Sequence, residues 1–346
     1  MTYPKVSIII VNFNKKQLTL DCLKSLSKIT YPNFEVIVID NNSQDESVST
    51  ISQKYPKVKQ IINPTNLGYV GGNNVGINTA NGDYFLILNN DTKVTPSFIE
   101  PLIKDFKKYP DLGIVQSKML IMDKPTLLDN VASYLTSTGF LYHVGYLEKD
   151  KPEFKIYREI FAAKGACMLI RKEVLRLGAF DDEFWCYFEE TDLCWRAWVM
   201  GYTVGFEPKS IIYHKMGATS SNLKSAFVHY HSFKNRIRTI IKNPTNGTLA
   251  WMLPIHLAGC LALSFYFLVS GQIKGAGAIV RAVFWNLKNL DATLLLRSKV
   301  QKARRASDKE IFSVTLKNPS LSFYFRHLSL VKQNLSQSEN QYDRKT

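Results

Sequence analysis

An α/β protein built on a Rossmann-like sheet is what this sequence predicts, on three observations. Strand-like apolar runs and helix-period segments alternate four times within about the first 90 residues. The runs are short and rich in β-branched residues, as in parallel strands covered on both faces. Several end abruptly in Asn, Asp and Ser, and open α/β sheets bind their ligands at the carboxyl ends of strands.

Val6 to Val11 is the first such run, closed by Asn12-Phe13-Asn14. Leu18, Leu20, Cys22, Leu23, Leu26 and Ile29 follow at mostly helical spacing, and Tyr31-Pro32 stops them. Phe34 to Ile39 is the second strand and leads into Asp40-Asn41-Asn42-Ser43, where Ser43 is expected to cap the next helix. Val58 to Ile62 is a weaker third strand. Between Asn66 and Gly76 stand four glycines and three asparagines, a composition that lets backbone approach a phosphate or nucleotide; a flexible lead into a helix is the plainer alternative. No GxGxxG follows the first strand and no GxxxxGK[ST] is present, which argues against a dinucleotide fold and a P-loop NTPase.

Tyr84 to Leu88 is the stretch on which the chain is centred. It reads as a buried strand, and it switches at once to Asn89-Asn90-Asp91. One carboxylate beside neutral amides suits a hard divalent cation that shares phosphate oxygens. A turn with an Asx cap uses the same residues.

Beyond Asp91, Pro96 is expected to open a helix through Phe98, Ile99, Leu102, Ile103 and Phe106, ending near Pro110, with a strand at 114–118. Residues 123–160 read as irregular, with substrate contacts among them. Small residues at 161–166 precede a strand, and a helix is expected from Arg171 to Gly178. Glu189, Glu190 and Asp192 then fall among Phe184, Trp185, Tyr187, Phe188 and Trp195. Crowding and apolar flanks raise carboxyl pKa values and move one acid toward use as a general base. A helix amino terminus accounts for one or two of the acids without any chemistry. Two short strands, 204–206 and 211–213, lead to His214, a structural residue or a second ligand for a metal at Asp91.

The five cysteines form no CxxC pair, and the chain runs from Met1 straight into a strand with no signal peptide, which together point to a reducing compartment. The net charge is +15, and residues 274–346 alone carry 14 Lys and Arg against 5 Asp and Glu. An anionic partner follows. The region has no nucleic-acid-binding motif, and the 22 residues from Thr248 to Val269 just before it hold no Asp, Glu, Lys or Arg, so a membrane surface is favoured over nucleic acid. The length suffices for a span, but Pro254 and His256 favour an interfacial helix or one packed in a helical domain.

Asn12-Phe13-Asn14, Asp40, Asn89-Asn90-Asp91 and Glu189-Glu190-Thr191-Asp192 followed by His214 stand in one order. This resembles the family 2 inverting glycosyltransferases of GT-A fold, in particular their rhamnosyltransferase-like branch, over about residues 4–240. The resemblance implies a mixed sheet flanked by helices at 1–240, and the charge and apolar run add a helical, basic, membrane-associated extension at 241–346. It implies transfer of a sugar from a nucleotide-diphosphate donor, dTDP-rhamnose or a UDP-sugar, to a glycan or lipid-linked glycan in cell-surface polysaccharide synthesis at the cytoplasmic membrane face. Asn12, Asn14, Asp40, Asn66, Gly68 and Asn90 would bind the nucleotide, with Asp40 on the base. Asp91 and His214 would hold Mg or Mn, and Glu190 would be the catalytic base. Gly165, Trp185, Glu189 and Asp192 would face the donor or acceptor sugar. Two departures are visible: only the last carboxylate of the DxD-type motif is present, and the base is Glu where Asp is more familiar. A catalytically degenerate sugar-nucleotide or glycan-binding domain is the alternative.

Overall fold

The computed structural model describes residues 3–217 and 225–320; residues 321–346 of the basic C-terminal region lie outside the described residues. The alternation is present: β1 (Val6–Asn12), α1 (Lys16–Leu26), β2 (Phe34–Asp40), α2 (Ser47–Lys54), β3 (Lys59–Ile62), α3 (Gly68–Thr79) and β4 (Tyr84–Leu88). β1 pairs in parallel with both β2 and β4, and β2 with β3. Side chains alternate along β1: Ile8 and Ile10 enter the core under α1 and Leu102, whereas Ile9 enters the one that holds Phe161 and Trp195.

Next come β5 (Thr92–Val94), α4 (Ile99–Lys108), β6 (Leu112–Ile121), β7 (Lys124–Asn130), β8 (Ala132–Leu135), β9 (Leu141–Val144), β10 (Arg158–Glu159), β11 (Cys167–Arg171), α5 (Glu189–Val199) and β12 (Thr203–His214). β11 inserts antiparallel between β4 and β6, and β12 continues in parallel beyond β6. The outcome is a mixed sheet flanked by helices.

Several local expectations change. Residues 123–160 are not irregular, since β7 to β10 lie there. The strands expected at 204–206 and 211–213 are one strand, β12, with a register shift between Glu207 and Ile211 where Pro208 withholds an N–H. Residues 172–177 form 3-10 turns and not an α-helix. Ser43 caps nothing: α2 starts after Glu46, and the Ser43 hydroxyl instead accepts from the Asn14 N–H at 2.9 Å.

The glycine-rich run is also corrected. Gly68, Gly71, Gly72 and Gly76 belong to α3, and the absent side chains of Gly72 and Gly76 let that helix lie on the sheet. A Cβ on Gly72 would stand 2.8 Å from Val11, and one on Gly76 would collide with Ile9.

The C-terminal helices are α6 (Ser225–Lys242), α7 (Asn246–Val269), α8 (Ile273–Lys288), α9 (Leu290–Lys302) and α10 (Asp308–Thr315). α6 falls almost wholly before residue 240, yet its Phe233, Ile237 and Ile241 pack with Cys260, Ile279 and Ala282 of α7 and α8. α7 is inverted in polarity. Its buried stripe is Thr248, Met252, His256, Cys260 and Ser264, whereas Trp251, Ile255, Leu261, Phe265 and Leu268 face outward.

Candidate active site

The strand ends β1, β2 and β4 are tied by a buried polar web. Asn12 Nδ2 donates to Asp40 Oδ2 at 2.8 Å and to Ser43 Oγ at 3.1 Å, while its Oδ1 accepts from Thr19 Oγ1 at 2.8 Å. Asn90 Nδ2 donates to Asn12 Oδ1 at 3.3 Å and Thr19 Oγ1 at 3.1 Å. Asn14 adopts a left-handed backbone, and its Oδ1 accepts from Gln44 N at 2.7 Å. These three asparagines, expected on the nucleotide, use their amides on the protein. Of the three, Asn12 holds Asp40, which also accepts from Ser43 N at 2.7 Å, at the end of β2.

A second asparagine set shapes the start of α3. Asn66 Oδ1 accepts from Gly68 N at 2.9 Å, Asn41 Nδ2 donates to the Gly68 carbonyl at 2.9 Å, and Asn63 Nδ2 donates to Asn41 Oδ1 at 2.8 Å. Gly68 has φ +71°, and a Cβ there would lie 2.6 Å from the Trp185 indole. No local pattern joins Trp185 to Gly68, because the contact crosses more than a hundred residues. Beside it, Tyr69 donates to the Gly165 carbonyl at 2.8 Å, so Gly165 offers its backbone to the protein.

At the end of β4, the buried Asp91 Oδ1 lies 3.3 Å from His214 Nε2. His214 Nδ1 bonds Asp129 Oδ2 at 2.8 Å, and Lys164 Nζ donates to Asp129 Oδ1 at 2.6 Å. Burial works against charge on His214, but the bonds to Asp129 and Asp91 outweigh it and lift its pKa to about 9. Burial likewise opposes ionisation of Asp129, and His214 and Lys164 nevertheless hold it near 2. Asp129 and Lys164 were not legible as site residues.

This pair fits a divalent cation. A carboxylate oxygen and an imidazole nitrogen converge, and the other ring nitrogen is held by a buried carboxylate, the usual outer support of a metal-bound histidine. Among the described residues no group of three or more His, Cys, Asp or Glu gathers as a metal cage. The remaining ligands would therefore be waters and phosphate oxygens, as Mg prefers.

α5 opens on the acids. Tyr187 and Phe188 both have left-handed backbone, φ 69° and 71°, which is costly for residues carrying a Cβ. α6 holds the turn in place: Asn235 Nδ2 donates to the carbonyls of Cys186 at 2.9 Å and Tyr187 at 2.6 Å. The Arg236 guanidinium lies 5.0 Å from the Phe188 ring centre. Burial first, then the adjacent charge of Glu190, raise the Glu189 carboxyl well above its ordinary range. Burial also raises Glu190, while a hydrogen bond from Glu189 and the charge of Lys164 pull it back. Both acids are thus raised, Glu189 the further of the two.

Asp192 is not at the sugar. It is fully buried and accepts from Arg196 Nε at 2.9 Å, Lys242 Nζ at 3.0 Å and Asn243 Nδ2 at 3.0 Å. Burial would raise its pKa, but Lys242 and Arg196 hold it below the usual range. It is an anchor between α5 and α6.

Residues 7–178 match glycosyl transferase family 2. The chain is 24% identical over 221 residues to a poly-beta-1,6-N-acetyl-D-glucosamine synthase of Staphylococcus epidermidis, covering 63% of this chain and 52% of that protein. It therefore spans about half the synthase's length. It is 24% identical over 279 residues to an N-acetylglucosaminyl-diphospho-decaprenol L-rhamnosyltransferase of Mycobacterium tuberculosis, covering 73% and 89% of the two chains. In three dimensions it resembles a mannosyltransferase of Pyrobaculum calidifontis solved with GDP-Man and Mn2+, at TM-score 0.52 and 16% identity over 88% and 86% of the chains. That likeness shows the GT-A type of fold.

Proposed function

This chain belongs to glycosyl transferase family 2, and we propose that it moves a sugar from a nucleotide-diphosphate donor to a hydroxyl of a glycan or lipid-linked glycan with inversion. One arrangement carries the reading: the Asp91–His214 pair and the Glu189–Glu190 pair flank the same side chains. Tyr69 feels the charges of Glu189, Glu190 and Asp91, and Lys164 acts on both Asp129 and Glu190.

The donor's base and ribose are assigned to Asp40 and the Asn66–Gly68 turn. Asp91 and His214 would hold Mg or Mn, which would supply charge neutralisation for the departing diphosphate. Glu190 accepts the proton of the acceptor hydroxyl, whose oxygen attacks the anomeric carbon from the face opposite the diphosphate. The bond to the diphosphate breaks, its electron pair leaves with the nucleoside diphosphate, and a single displacement inverts the centre. The charge of Lys164 pulls the raised pKa of Glu190 back down. dTDP-rhamnose and UDP-sugars are the donors proposed.

The outward apolar face of α7, beside basic α8, is read as lying in the interface of an anionic membrane on the cytoplasmic side. α8 carries Lys274, Arg281 and Lys288 on one stripe along its length, which keeps it out of the hydrocarbon and makes the attachment monotopic. A screen of dTDP-, UDP- and GDP-sugars for hydrolysis tests the transferase reading. One donor should be hydrolysed, with loss of turnover in EDTA; turnover of none overturns it.

A further inference from the structure

Beyond the reacting groups, the structure holds a second concave site. Between α6 and α8 lies a cavity of about 650 Å³, within the range of small-molecule sites. Its walls are Phe227, Tyr230, Phe284 and Trp285, with Arg281 and Lys288 among them and no acidic side chain. Among the described residues neither Arg281 nor Lys288 forms an ion pair, and both are exposed. Phe284 and Leu287 are also exposed, at 65% and 63%, as are Ile273 and Val280 on the same helix. At its other end the groove meets the candidate active site. Phe227 packs edge-on to Trp185 with ring centres 5.4 Å apart, and Trp185 covers Gly68.

We infer that this groove seats the diphosphate-bearing head of a lipid-linked acceptor, with its chain along the apolar face and its sugar directed past Trp185. This rests on the transferase reading above for the acceptor's role, but not for its binding. The charge matches: two unpaired cations meet a diphosphate in an otherwise aromatic trough, where anion and chain are bound together. The chain leaves the groove where Phe284 and Leu287 already face outward. A bulk phospholipid headgroup lacks the diphosphate that calls for both Arg281 and Lys288.

Isothermal titration of the full chain with farnesyl diphosphate, in EDTA and without nucleotide sugar, tests this. Farnesyl diphosphate should bind at least tenfold more tightly than farnesol, inorganic pyrophosphate or dioctanoyl phosphatidylglycerol. An Arg281→Ala, Lys288→Ala double variant should lose at least tenfold in affinity and keep its donor hydrolysis, and Asp91→Asn should bind the probe normally. No binding, or no effect of the double variant, overturns the inference. Equal binding of pyrophosphate reduces the groove to an anion site, equal binding of phosphatidylglycerol to a membrane contact, and loss in Asp91→Asn moves the probe to the donor site; each overturns it. Failure of the transferase reading appears separately, in the donor-hydrolysis screen.

Discussion

His214 donates from Nδ1 to Asp129 at 2.8 Å, so a residue that had no visible role in the sequence sets the charge of the histidine. A histidine whose pKa is raised from 6.5 to about 9 in the folded state stabilises that state fully below 6.5. The contribution is lost as pH rises through about 9. Melting temperature of the metal-free protein should therefore fall across this window, and Asp129→Asn should flatten the fall. Mn affinity should rise over the same window, because the metal displaces the Nε2 proton. A wild-type melting curve that does not change with pH would sink this account.

Glu190→Gln keeps the size of the side chain and removes its capacity to accept a proton. Transfer should drop about a hundred- to ten-thousand-fold with donor affinity little changed. Glu189→Gln should cost only a few-fold, since the amide keeps the neutral form that burial favours at that position. Steady-state kinetics of the two variants separate the roles, and a dead Glu189→Gln beside an active Glu190→Gln would exchange them.

Gly68→Ala places a Cβ in left-handed backbone and against Trp185. The backbone part costs about 1 kcal/mol, and the collision adds to it. Nucleotide affinity and melting temperature should both fall, and Trp185→Ala in the same chain should restore part of the stability in a double-mutant cycle. Strictly additive losses would show that the two residues do not touch.

Asp192→Ala should act on stability. It leaves Arg196 and Lys242 buried with one carboxylate fewer, and breaking such a pair typically costs about 3–5 kcal/mol. Denaturant titration should show this loss, while the protein that remains folded binds metal and donor normally. An Asp192 variant of full stability with altered acceptor kinetics would return the residue to the site.

Leu261→Glu and Phe265→Glu each replace an outward apolar side chain on α7. Burying such a side chain is worth about 1.5–3 kcal/mol, so co-sedimentation with anionic vesicles should weaken about tenfold or more for each. Binding should also fall with added salt. Full recovery of the wild type in a detergent-free soluble fraction at low salt would remove the membrane assignment.

The sequence was most legible where function is local. Asp91 follows its strand directly, and Glu190 stands in a conspicuous acidic cluster. Asp129 and Lys164 were hidden because their role exists only once β7, β11 and β12 are adjacent. The glycines of α3 were misread since close approach to a phosphate and close approach to a sheet ask for the same missing side chain. Asp192 was expected to face the sugar because its partners Lys242 and Asn243 lie about 50 residues downstream, beyond any local pattern.

α6 touches two worlds at once. Asn235 grips the carbonyls of Cys186 and Tyr187, while Phe233 and Ile237, on the same helix, rest on the helices beneath the outward apolar face. A shift of those helices under lateral pressure would reach the strained turn ahead of Glu189 with no flexible joint between them. If α7 lies in a membrane interface as proposed, that footing and the aim of the Glu189 and Glu190 carboxylates are one lever.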